Sequence, residues 1–130
     1  MILSGLDVIK GLERYNGDIK SYTSNLHTYS KYVRALLGTI ENVDKKWLDP
    51  YRLIIHSIKV TSFDIYANQI GKWAKRLEKA ANLDAFDYID RFNPLFLENA
   101  HRFLDSIDTM LVESEIGKNP DWECIYRKCS

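Results

Sequence analysis

His56 and Lys59 are the two residues whose types and spacing best suit a chemical reaction. They lie three positions apart in the stretch RLIIHSIKVTSF, residues 52–63. An imidazole has an ordinary pKa of about 6.5, so near neutral pH one ring nitrogen keeps a lone pair that can act as a nucleophile. An ammonium group one helical turn away adds a positive charge that attracts phosphate oxygens. The pair therefore suits the carriage of a phosphoryl group, and an ordinary surface histidine is the alternative.

The helical period around His56 predicts that its side chain points outward. At about 100° per residue, His56 falls roughly 140° from Tyr51, outside the apolar stripe of the segment. The inward stripe consists of Tyr51, Ile54, Ile55, Ile58, Ser62 and Ile65. The surface neighbours of His56 are Lys59 and four candidate partner-docking residues, Arg52, Leu53, Val60 and Phe63. Three of these four are apolar, and contiguous exposed apolar surface commonly marks a docking site.

Apolar residues recur at steps of three and four along most of the chain, which has only six glycines and three prolines. This period predicts helices and no strands. We expect helices at 6–14, 18–43, 49–63, 66–81 and 84–112. Asp18 and Asp49 are the predicted N-caps of the second and third helices, with Pro50 at the first helical position of the third. Asn93-Pro94 is expected to kink or restart the last helix.

Four long amphipathic helices with short connections are typical of an antiparallel up-and-down four-helix bundle. The predicted fold is therefore all-α, with such a bundle and a short N-terminal capping helix over residues 1–112. Residues 113–130 are predicted to form a C-terminal tail outside the bundle, in which Trp122 and Tyr126 could dock a short turn.

Composition disfavours several classes of partner and location. The chain has 18 basic and 18 acidic residues and a net charge of zero, which disfavours nucleic acid. No run of about 18 apolar residues and no secretory leader pattern occur, so we expect no membrane insertion. Cys124 and Cys129 lie near the end of the chain and are too far apart for a C-x-x-C redox motif. Such sparse cysteine usage suits a reducing compartment, and we expect a cytoplasmic protein.

Other polar residues give weaker signals. His27 and His101 share no metal-ligand spacing with each other or with the cysteines, so they are interpreted as ordinary surface histidines. Four cations fall on the outward half of one helix, where they form either a solvated face or a contact for an acidic partner surface. These cations are Lys72, Lys75, Arg76 and Lys79.

Two segments together resemble a known family. The stretch IIHSIKVTSFDIYANQIGKWAKRLEKA, residues 54–80, resembles the phosphorylation helix and the following helix of the histidine-containing phosphotransfer (HPt) domain family. The upstream stretch GLDVIKGLERYNGDIKSYTSNLHTY, residues 5–29, looks like the opening of the same family. The likeness spans about residues 5–107, and it depends on the order of the pieces more than on any single motif.

The resemblance implies roles for three residues. His56 matches the phosphorylated histidine, Lys59 matches the lysine beside the phosphate, and Glu78 matches a residue that hydrogen-bonds and orients the imidazole. The helical period places Glu78 at the margin of its own apolar stripe, from which it can reach the previous helix. A solvated ion pair of Glu78 with Lys75 or Lys79 is the alternative. No bound cofactor is implied, because the partner receiver domain supplies Mg²⁺.

Three functional hypotheses follow from the resemblance. The first is a phosphorelay intermediate, in which His56 accepts a phosphoryl group from one receiver aspartate and passes it to another. Its partners are response-regulator receiver domains, hybrid sensor histidine kinases or both. The second is a non-catalytic adaptor that docks receivers, because Val60 stands where the family usually has glycine, and Phe63, Asp64 and Tyr66 are larger or more charged than usual. The third is the phosphorylatable domain of a chemotaxis-type histidine kinase.

Overall fold

The computed structural model describes residues 4–117, and every regular element within them is a helix, without strands. The predicted all-α class is therefore confirmed for this part of the chain. A 3-10 turn, Lys45–Trp47, precedes the third of the α-helices. The helices are α1 (Val8–Arg14), α2 (Ile19–Gly38), α3 (Leu48–Asp64), α4 (Asn68–Asn82) and α5 (Phe86–Gly117).

The helices contact one another in a closed order. Helix α3 packs on α4, α4 on α5, and α2 on both α5 and α3, while α1 packs on α2. Apolar side chains from all five helices form one buried core. Polar links also join the helices, because Tyr29 Oη of α2 and Ser62 Oγ of α3 form a buried hydrogen bond of 2.8 Å. On the other side of α2, Arg34 lies 2.7 Å from the carboxylates of both Asp105 and Asp108 of α5.

The core-facing residues of α3 agree with the predicted stripe. Tyr51, Ile55, Ile58 and Ser62 are buried, whereas Ile54 is only partly buried. The apolar period is a local property of the sequence and identifies this face without knowledge of the neighbouring helices. The apolar period thus determines which side of α3 faces the core.

Three helices end in the same hydrogen-bonded turn, the Schellman motif. At the end of α3, the Ala67 amide donates to the Ser62 carbonyl at 2.8 Å and the Tyr66 amide donates to the Phe63 carbonyl. Tyr66 takes the left-handed conformation, with φ of 64°. The ends of α1 and α4 repeat the pattern with Asn16 and Asp84 in the left-handed position. The prediction that Tyr66 begins α4 is therefore wrong, because no glycine marks this turn in the sequence.

The structure confirms one predicted N-cap and corrects the other. The Asp18 carboxylate accepts hydrogen bonds from the Ser21 amide and hydroxyl at the start of α2. Asp49 lies inside the first turn of α3, which begins at Leu48, so it does not cap this helix. Asp44 instead caps the 3-10 turn through the Lys46 amide at 2.7 Å. The 3-10 turn extends the helical segment backward, which also places Pro50 beyond the first helical position.

The predicted end of α2 is also wrong, and of the two outcomes expected at Asn93-Pro94, a kink or a restart of the last helix, the restart does not occur. Helix α2 ends at Gly38, five positions before the predicted end at 43. Helix α5 does not restart at Asn93-Pro94, because it continues through Pro94 to Gly117. The Asn93 side chain is buried and serves as a polar bridge between segments. Its amide nitrogen donates to the Ile40 carbonyl at 2.7 Å, and its oxygen accepts from the Tyr51 hydroxyl at 2.9 Å.

No helix in the described part of the chain combines the length and the apolarity needed to cross a bilayer. Most of the predicted tail lies outside the described residues, and so do Trp122, Cys124, Tyr126 and Cys129. Helix α5 itself continues past position 112, where the bundle was predicted to end.

Candidate functional site

His56 lies on the outward side of α3, as the helical period predicts. Its side chain is 53% exposed, although Ile55 directly before it is fully buried. The Nδ1 atom lies 2.5 Å from Glu78 Oε2 on the neighbouring helix α4. A carboxylate accepts hydrogen bonds only, so this contact places the proton on Nδ1 and leaves the lone pair on Nε2. Among the described residues, none forms a hydrogen bond with Nε2.

Glu78 is the residue that holds this arrangement together. Its side chain is only 15% exposed, and its second oxygen, Oε1, lies 2.5 Å from Lys59 Nζ. Burial raises the pKa of the Glu78 carboxyl, but the hydrogen bonds from Lys59 and His56, together with the positive charge of Lys59, outweigh burial and lower this pKa below its ordinary value. The carboxylate is therefore ionised near neutral pH and accepts from both partners at once.

Lys59 contacts Glu78 of the neighbouring helix α4, a contact that its spacing from His56 alone did not predict. The ammonium is partly buried and lies against Glu78 rather than projecting into solvent. It is an ion-pair partner of the carboxylate that orients the imidazole. The alternative pairing of Glu78 with Lys75 or Lys79 is wrong, because neither lysine forms an ion pair with Glu78.

The four candidate docking residues separate into two groups. Leu53 and Val60 project into solvent and are 70% and 50% exposed, although both are large apolar residues. Arg52 is engaged within the chain, because its guanidinium donates to the Ala81 carbonyl at 2.9 Å and to Asp49 at 2.8 Å. Phe63 is partly buried, and its ring covers Gly71 of α4. The exposed apolar surface beside His56 is therefore formed by Leu53 and Val60.

Gly71 is a residue of this region whose structural role the sequence alone did not reveal. A Cβ atom at this position would approach Phe63 Cε1 to 2.8 Å, closer than packed atoms tolerate. The missing side chain lets the Phe63 ring pack against α4 two turns before Glu78. A glycine inside an amphipathic helix is the signal that could have indicated this close approach.

The remaining histidines do not contribute to the site. His27 is exposed on α2 and His101 is partly buried on α5. Over the described range, no three histidine, cysteine or acidic side chains converge as they would around a metal ion.

Comparison of the chain with protein-family models, with curated proteins and with solved structures gives no match. Membership of the HPt family therefore stays a prediction from the sequence.

Proposed function

We propose that this protein is a phosphorelay signalling intermediate that accepts a phosphoryl group on His56 from one receiver aspartate and passes it to another. One observation carries the proposal. An exposed imidazole has its Nδ1 held at 2.5 Å by a largely buried carboxylate, while none of the described residues forms a hydrogen bond with its Nε2. This is the arrangement that a nucleophilic histidine requires, because the tautomer and the ring orientation are both fixed before the partner arrives.

The proposed transfer requires no metal ion or cofactor bound to this chain. The Nε2 lone pair attacks the phosphorus of an aspartyl phosphate, the bond from phosphorus to the aspartate oxygen breaks, and the aspartate leaves as a carboxylate. The ring then carries a positive charge, which the Glu78 carboxylate offsets through Nδ1–H. The receiver supplies the carboxylate and Mg²⁺, and transfer in either direction depends on positioning and charge compensation.

We propose that α2 to α5 form an antiparallel up-and-down four-helix bundle with α1 as its cap. The closed order of helix contacts and the three-residue connections 65–67 and 83–85 support this arrangement, since short connections join antiparallel neighbours. A cytoplasmic location follows from the proposed partners, which are receiver domains and hybrid sensor kinases.

The decisive experiment is phosphoryl transfer from a phosphorylated receiver domain in the presence of Mg²⁺. We expect the wild-type protein to take up label that is acid-labile and base-stable, which is the behaviour of a phosphohistidine. The His56→Gln variant should take up none, whereas His27→Gln, which changes another exposed histidine, should be labelled like the wild type. Uptake of label by His56→Gln would contradict the proposal.

A second function, docking of receivers without transfer, is favoured by the exposure of Val60. This β-branched side chain lies one turn from His56 on the same side of α3, where it can hinder the close approach of a partner loop. We expect Val60→Ala to raise the rate of labelling several-fold, and Leu53→Ala serves as the control for loss of apolar contact. If the wild type and Val60→Ala both bind a receiver and neither is labelled, the protein is an adaptor.

A kinase domain as the direct phosphoryl donor is the third hypothesis, and the same assay tests it. An isolated histidine kinase catalytic domain with ATP replaces the phosphorylated receiver. Faster labelling by the kinase domain than by any receiver would assign the chain to the chemotaxis-type kinases.

A further inference from the structure

A surface cavity lies between the segment that leads into α1 and the first half of α4. Its volume is about 640 Å³, within the roughly 300–1,000 Å³ typical of sites for small ligands. The cavity is on the other side of α4 from the candidate site, since Lys72 and Arg76 fall about 120° and 160° from Glu78 around the helix axis. Its lining consists of residues 4–9 together with Asn68, Gln69, Lys72, Trp73 and Arg76.

The wall formed by residues 4–9 is fixed against the rest of the molecule. The Asp7 amide donates to the Tyr66 carbonyl at 3.0 Å, and Leu6 beside it is buried. Gly5 has a φ of 91°, and a Cβ atom there would lie only 3.0 Å from Gln69 Oε1 of α4. Because both walls belong to the folded protein, the cavity is formed before any ligand arrives.

The cavity carries two positive charges without partners. Lys72 and Arg76 line it one helical turn apart, and both side chains are exposed. Neither forms an ion pair with any residue that the structure describes. Asp7 is the one acidic residue of this lining, and its carboxylate already accepts a hydrogen bond from the Lys10 amide at 3.1 Å. Like charges at this spacing repel, so an anion held between the two cations would relieve the repulsion.

The cavity also has an apolar part with a flat aromatic ring. Trp73 is partly buried and stacks on Phe96 of α5, with ring centroids 6.2 Å apart and planes 25° apart. Ile9, also partly buried, lines the same cavity. An aromatic ring and an aliphatic side chain offer contact area to the carbon skeleton of a ligand.

We propose that this cavity binds a small organic anion, with its acidic group between Lys72 and Arg76 and its apolar body against Trp73 and Ile9. A guanidinium can donate two parallel hydrogen bonds to a carboxylate, sulfonate or phosphate, and the ammonium adds a point charge. An inorganic anion would leave the apolar part of the cavity in contact with water, and a neutral molecule would leave the two cations unpaired. This binding site is independent of the proposed function of His56.

Two fluorescent probes that differ by one charged group test the proposal on the full chain. Anilinonaphthalene sulfonate carries a sulfonate on an aromatic body, and phenylnaphthylamine has the same body without the sulfonate. The fluorescence of both probes rises in apolar surroundings, so titration gives their affinities. We expect one sulfonate probe to bind per protein, about tenfold more tightly than the neutral probe.

Two double variants with equal net charge locate the charged part of the site. Lys72→Gln/Arg76→Gln removes the charges of the cavity, whereas Lys75→Gln/Lys79→Gln removes two exposed charges of the same helix that do not line it. We expect the first variant to bind the sulfonate probe about tenfold more weakly and the neutral probe within about twofold of the wild type. The second variant should stay within about twofold of the wild type for both probes. Urea unfolding of both variants checks that they fold alike.

Nuclear magnetic resonance locates the apolar body of the probe. The indole N–H signal of Trp73 should shift when the sulfonate probe is added, and that of Trp47, which precedes α3, should not. Equal weakening by the two double variants, or a shift of Trp47 alone, would overturn the site. Equal affinity of the wild type for the two probes would overturn the anionic class of ligand. Failure of the sulfonate probe to bind the wild type would overturn the whole proposal.

Discussion

Glu78 is the residue on which the candidate site depends most. Its two oxygens accept separate hydrogen bonds, one from His56 Nδ1 and one from Lys59 Nζ, both at 2.5 Å. Because both partners come from α3, Glu78 fixes the position of α4 relative to the imidazole as well as the tautomer of the ring. Orientation of a reactive ring through its second nitrogen is the usual task of such a carboxylate.

We expect the stability that Glu78 contributes to depend on pH. Its contacts lower the pKa of the carboxyl from the ordinary 4.5, so the contribution is complete above about pH 4.5 and is lost as pH falls through the lowered value. Glu78→Gln does not titrate at this position and should be less stable than the wild type by about 1 kcal/mol at neutral pH. Urea unfolding of both proteins between neutral and acidic pH measures this difference. A gap that stays constant on acidification would contradict the role of Glu78.

The packing of helix α1 on α2 depends on a close approach between Gly11 and Tyr22. Both residues are buried, and a Cβ atom at Gly11 would lie 2.4 Å from Tyr22 Cε1. The ring therefore occupies the volume that any other residue at position 11 would fill. Helix α1 has only seven residues and is too short to persist without this packing.

We expect Gly11→Ala to lower the free energy of unfolding by about 1–3 kcal/mol, because the added methyl group displaces the Tyr22 ring in a filled core. Gly38→Ala is the matched control, since a Cβ atom at Gly38 meets nothing within 4 Å. There alanine should be neutral or stabilise the end of α2 by about 0.5 kcal/mol. Thermal and urea unfolding of the two variants measure the contrast, and equal effects would show that α1 is not held as described.

The buried side-chain amide of Asn93 connects three parts of the chain and so concerns the packing of the whole molecule. Asn93 of α5 bonds to the Tyr51 hydroxyl of α3 and to the Ile40 carbonyl just beyond α2. Burial also raises the pKa of the Tyr51 hydroxyl, which keeps it protonated as a donor. A polar bridge of this kind favours one packing of the helices, because any other packing would leave buried polar groups without partners.

We expect Asn93→Ala to destabilise the protein by about 2–4 kcal/mol, because it leaves the Tyr51 hydroxyl and the Ile40 carbonyl without their partner and opens a small cavity. Asn99→Ala provides the control on the same helix. Its exposed amide bonds only to the Leu95 carbonyl one turn earlier. This control should change stability by less than about 0.5 kcal/mol. Similar losses for the two variants in calorimetry would contradict the bridging role of Asn93.

The sequence by itself determined the properties that depend on the helical period of apolar residues and on hydrogen bonds between residues close in sequence. The all-α class, the buried stripe of α3, the cap at Asp18 and the outward direction of His56 agree with the structure, because a helix has one geometry whatever it packs against. The boundary at Tyr66 differs because a hydrogen-bonded turn without a glycine ends α3 there, and the boundary at Asp49 differs because the 3-10 turn Lys45–Trp47 extends the helical segment backward.

Only the tertiary structure decided which distant groups meet. Lys59 lies against Glu78, Phe63 packs over Gly71, and Asn93, which looks like a helix breaker beside proline, is buried between helices. These contacts join residues that are 8 to 53 positions apart, so they depend on how the helices are placed against one another. A helical period records which face of each helix is buried, and it carries no information about which residue of another helix lies opposite.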